Sequence, residues 1–132
     1  MLLEELARAL ASADAPGVVE TMAEDVTLRV AVHDAPFEGR AAATQILTAV
    51  LDGALFDIKV VETIEGPAPA VLMFTTGVAG YPDLADGLLV VRADDSGRIS
   101  DLTVYLRPLA ALAALAEEMG RRLGGPRPDG RG

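Results

Sequence analysis

The stretch Gly87 to Leu123, GLLVVRADDSGRISDLTVYLRPLAALAALAEEMGRRL, limits what this chain can fold into more than any other. It reads as two long β-strands joined by a tight turn, then a proline and an apolar helix. Asp94-Asp95-Ser96-Gly97 supplies the turn, because Asp, Ser and Gly accept tight bends and positive φ. The flanking runs are rich in Val, Ile, Leu, Thr and Tyr, which fit a pleated surface. A hairpin of this length needs cover on both faces, and the rest of the chain has to provide it.

The 132 residues suit one domain, long enough to bury roughly two-thirds of its unfolded surface without crosslinks. An apolar fraction of 51% supports a packed core. The absence of cysteine removes disulfides, thiol nucleophiles and Cys-based zinc sites, and His33 is the sole histidine. Neither a metal nor a cofactor is expected. A net charge of −9 argues against nucleic acid and anionic membranes as partners. The opening MLLEELARAL carries Glu4 and Glu5 in an amphipathic pattern, unlike a signal peptide. No apolar run approaches the ~20 residues of a membrane span, so a cytoplasmic location is expected.

In chain order, Leu3, Leu6 and Leu10 predict an amphipathic helix over 2–13. Asp14 caps a second short helix with Pro16 in its first turn, which Ala23-Glu24-Asp25 ends. Val26 to His33 alternates as a strand, and 40–52 reads as a third helix closed by Asp52-Gly53. Leu55–Ile64 and Ala70–Val78 read as strands, the second covered on both faces. Gly80-Tyr81-Pro82-Asp83 begins a polar loop running to Gly87. The folded domain is expected over 1–123, with 124–132, rich in Gly, Pro and Arg, as a disordered tail. Helices followed by a run of strands predict an α+β fold with helices packed on one side of a curved antiparallel sheet.

Several local words in this order resemble the nuclear transport factor 2-like superfamily and, within it, the SnoaL-like polyketide cyclases. They are Asp14 opening helix two, Glu24-Asp25-Val26, Glu38-Gly39-Arg40 entering helix three, and Gly97-Arg98-Ile99 entering a last strand that closes with Val104-Tyr105. The resemblance covers roughly residues 3–110. It implies a cone-shaped, cystatin-like half-barrel with a pocket between sheet and helices, completed here by a C-terminal helix, and a homodimer. It also implies cofactor-free acid/base chemistry on an apolar or polyketide-like ligand, or a domain of the same fold that only binds or dimerises. Related cyclases carry a general acid/base aspartate near the end of the last strand, where this sequence has Arg107.

Pairing Ala93 with Arg98 places Ile99, Asp101, Thr103, Tyr105 and Arg107 on one face of the last strand, and Leu102, Val104 and Leu106 on the other. The resemblance puts the functional side chain on the Arg107 face, so that face is read as lining a pocket. The apolar face would then lie outside and call for a second subunit. The reverse, apolar face inward and polar face wet, stays open. On the first assignment Tyr105 polarises a ligand carbonyl and a carboxylate, Asp34 or Asp86, moves the proton, with His33 as the one histidine base. Asp101, Thr103, Arg107 and Tyr81 are the candidate ligand-binding residues. Each also has a plain structural role: Arg107 as an ion-pair partner of Asp101 or Asp86, Tyr105 as a rim tyrosine, His33 as a solvated strand-end residue, and Tyr81 and Asp86 as turn residues.

Overall fold

The computed structural model describes residues 2–66 and 69–124. Helix α1 (Leu2–Ala11) buries Leu3, Leu6 and Leu10, the spacing that predicted it. Asp14 then caps α2 (Ala15–Glu20), its carboxylate accepting from the Gly17 N–H at 3.1 Å. Strands β1 (Met22–Arg29) and β2 (Phe37–Glu38) precede α3 (Arg40–Ala49) and a wide turn, Val50–Ala54, in which Gly53 takes φ +98°. Strands β3 (Leu55–Ile64), β4 (Ala70–Val78), β5 (Tyr81–Ala93) and β6 (Ile99–Arg107) follow. The chain closes with α4 (Leu109–Met119) and a second wide turn, Gly120–Gly124. The expected tail, 124–132, lies outside the described residues from 125 onward.

The strands form one sheet in the order β2-β1-β6-β5-β4-β3. Every neighbouring pair is antiparallel except β1 with β6, which run parallel. The fold is therefore α+β, a curved mixed sheet with the helices on one side. Periodicity alone does not show the parallel pair, because alternation is the same in both directions. Leu6, Val18, Leu28, Leu72, Ile99 and Leu102 are fully buried between the layers.

The opening hairpin closes as expected, with a different register. The Asp94 carboxylate accepts from the Ser96 hydroxyl, the Ser96 N–H and the Arg98 N–H, and these bonds hold its pKa below the ordinary aspartate value. Ala93 pairs with Ile99 rather than Arg98, and a bulge sits between Arg92 and Ala93. That extra residue turns Ile99 inward, where it is fully buried, and breaks the expected Ile99–Arg107 stripe.

Two boundaries differ from the sequence pattern. Strand β1 starts at Met22, not Val26, and ends at Arg29, leaving 30–33 in a turn. Glu24 and Asp25 read as a helix end, yet the Ile99 N–H donates to the Thr21 carbonyl at 2.8 Å and draws this segment onto β6. The expected loop at 80–87 is mostly strand: Val78 pairs with Tyr81 across a two-residue turn with Gly80 at φ +85°. Pro82 is tolerated because β6 first pairs with β5 at Asp86, so nothing on that side needs its missing N–H.

The face assignment of β6 is the largest correction. Leu102, Val104 and Leu106 pair with Val91, Leu89 and Gly87 on the inner face. Asp101, Thr103, Tyr105 and Arg107 point outward, and Tyr105 is 53% exposed. The apolar residues of the outer face belong instead to β4 and β5: Val71, Met73, Leu88 and Val90 lie in register beside Thr103 and Tyr105.

Candidate functional site

Between the sheet and the helices lies a cavity of about 460 Å³. Its floor is the inner face of the sheet, with Leu28, Phe74, Leu89, Leu102, Val104 and Leu106. Leu6, Ile46 and Leu47 close it from α1 and α3, and Leu115 and Met119 from α4. The mouth is marked by lining residues that also meet solvent: His33 after β1, Gln45 on α3, and Gly120 after α4.

His33 and Gln45 are the only polar side chains on the wall among the described residues. The His33 ring sits 5.4 Å from that of Phe37, tilted by 49°. Its Nδ1 accepts from the Ala35 N–H at 3.1 Å, with the Ala35 carbonyl at 3.3 Å and the Asp34 carboxylate at 3.8 Å. No aspartate, glutamate, lysine or arginine lines the cavity among those residues. A wall of this kind is suited to contact with apolar surface, and among the described residues it has no carboxylate with which to move a proton.

Of the residues singled out in the sequence, the structure brings only His33 to this cavity. Tyr105 faces outward and cannot polarise a bound carbonyl there. Asp34 is fully exposed beside the mouth, and Asp86 pairs on the outer face with Arg107 at 3.2 Å. Asp101 is engaged by Arg29, whose guanidinium it pushes above the ordinary arginine value, and by the Thr103 hydroxyl at 3.3 Å. Tyr81 packs, half-buried, at the start of β5 and is not part of the wall. Apart from His33, the expected acid/base set therefore lies outside the cavity. Gln45 was not foreseen; the signal was a lone amide beside the buried Ile46-Leu47 pair and three residues after Ala42.

A steroid delta-isomerase from Pseudomonas aeruginosa superimposes with a TM-score of 0.82 at 31% identity, over 93% of this chain and 89% of that one. The chain belongs to the nuclear transport factor 2-like superfamily. Other solved structures share the fold at lower identity. An uncharacterised protein with a cystatin-like fold from Silicibacter pomeroyi has a TM-score of 0.84 at 21% identity, over 92% and 84% of the two chains. A SnoaL-like polyketide cyclase from Jannaschia sp. gives 0.70 at 14%, over 87% and 89%. Neither a protein-family model nor a curated protein sequence matches the chain. This superfamily member has an arginine, Arg107, at the strand end where the resemblance places an acid, and that residue faces away from its cavity.

Proposed function

We propose that this protein binds an apolar small molecule in the cavity between sheet and helices and does not perform carboxylate acid/base chemistry on it. One observation carries the reading: among the described residues, the wall is apolar apart from His33 and Gln45 at the mouth. Isomerisation or cyclisation of a carbonyl compound needs a group that takes a proton and one that stabilises the developing oxyanion, both inside the site. Among the described residues, the cavity's interior beyond His33 and Gln45 at the mouth offers neither. The similar steroid delta-isomerase, by its name an enzyme of steroids, supports the kind of ligand, a largely apolar one.

Native mass spectrometry of the purified protein, with titration of an apolar fluorophore, tests the binding. A steroid with a migratable double bond tests the chemistry. Fluorophore uptake with no steroid turnover is the expected pair of results. Turnover above the solution rate, abolished by filling the cavity, would overturn the non-catalytic half of the reading.

We also propose that the outer sheet face is covered by a second copy. The apolar patch of Val71, Met73, Leu88 and Val90, with Ile64 half exposed beside it, motivates this reading. A monomer in sedimentation at micromolar concentration would overturn it.

A further inference from the structure

Resting on the binding reading above, we propose a ligand class: an uncharged apolar molecule with a hydrogen-bond acceptor at its outer end. The His33 Nε2–H donates to that acceptor. The interior wall has no side-chain donor among the described residues, so an acceptor carried deep into the cavity would lose its water and gain no side-chain hydrogen bond. Any polar end of the ligand therefore lies at the mouth, where His33 and Gln45 stand.

The local backbone fixes what His33 can offer. A backbone N–H only donates, and the Ala35 N–H meets Nδ1 at 3.1 Å, so Nδ1 holds a lone pair. The contact of Nδ1 with the Ala35 carbonyl, at 3.3 Å, is longer and would need a proton on Nδ1 facing the Ala35 N–H. The neutral ring thus carries its proton on Nε2. Among the described residues Nε2 has no partner in the chain, and Phe37 holds the ring's tilt. His33 is a positioning donor here, because its basic nitrogen is already occupied. An anionic ligand end finds no lysine or arginine on the wall and has Asp34 beside His33, within a chain of net charge −9. A cationic end would lie against an N–H donor.

Two naphthalene probes separate the contributions: 6-propionyl-2-(dimethylamino)naphthalene, with a ketone at one end, and 2-(dimethylamino)naphthalene, without it. Each is titrated by fluorescence against the wild type, His33→Phe and His33→Gln. His33→Phe should weaken the ketone about tenfold, the worth of one hydrogen bond, and leave the ketone-free probe unchanged. His33→Gln, which keeps an N–H donor, should recover part of the loss. Equal affinities for both probes across all three proteins would overturn the donor role while leaving the cavity reading intact. So would a loss shared by both probes, which would mark a packing role. Failure of either probe to bind the wild type would overturn the cavity reading and this inference with it.

Discussion

Arg122, in the turn after α4, donates a 2.6 Å hydrogen bond to the backbone carbonyl of Asp52, in the wide turn after α3. The same guanidinium lies 3.6 Å from the Asp52 carboxylate and is held from its other side by Glu118 at 2.7 Å. This fixes the C-terminal end of α4 across the cavity, beside Met119 and Leu123 of its wall. Arg122→Ala should therefore loosen that end, raising amide hydrogen exchange over residues 115–123, at a global cost of about 1 kcal/mol. Asp52→Ala should do much less, because the shorter bond goes to a carbonyl that the substitution keeps. Equal exchange in the two variants would show that the carboxylate, not the carbonyl, anchors the helix.

Glu118 accepts from both Arg121 and Arg122, and these bonds, Arg121 first, hold its pKa below the ordinary value of 4.5. The folded protein thus binds the proton less tightly than the unfolded chain. The stabilisation is complete above the ordinary glutamate range and is lost as pH falls through it toward the depressed value. Asp94 titrates in the same sense in the hairpin, so the informative quantity is a difference between proteins. Urea unfolding of the wild type and Glu118→Gln at several pH values should show the variant losing less stability on acidification. Parallel curves would mean that the pairs are open in solution.

Gly87 sits in mid-sheet opposite Leu106, where a Cβ would fall 2.3 Å from the Tyr105 carbonyl oxygen and 2.8 Å from the Phe74 ring. The oxygen belongs to the neighbouring strand and cannot step aside without breaking the ladder. Gly87→Ala should cost about 2 kcal/mol or more, read as a lower urea midpoint. Gly97→Ala tests a different property, since open space surrounds that position and only its φ of +84° opposes a side chain.

The hairpin's turn, the apolar α4 and the strand spans at Leu55–Ile64 and Ala70–Val78 were legible because each is specified by neighbours in sequence. The start of β1 was not, because Glu24-Asp25 is drawn into the sheet by β6, a partner distant in sequence. The inward face of β6 was undecidable from its own alternation: both stripes are regular, and only packing against Leu115, Phe74 and Ile46 chooses between them. The family pattern favoured the Arg107 stripe for the cavity, and that stripe instead makes surface pairs, Arg29 with Asp101 and Arg107 with Asp86. His33 was visible as the one histidine, but its role depends on the Ala35 N–H, which no residue pattern reveals.

The two stripes of β6 make opposite predictions for ligand binding, and adjacent substitutions distinguish them. Val104 is half-buried on the cavity floor, so Val104→Phe adds volume to the space itself and should lower the affinity for an apolar fluorophore by tenfold or more while the protein stays folded. Tyr105→Phe, one residue on, removes a hydroxyl from the outer surface and should leave that affinity unchanged. Arg107→Ala should behave like Tyr105→Phe, its Asp86 pair being exposed and worth little. A loss in Tyr105→Phe with none in Val104→Phe would place the ligand on the outer face, the stripe that the family pattern favours. The inward apolar stripe argues for the other outcome, because it supplies the surface on which an apolar ligand gains by leaving water.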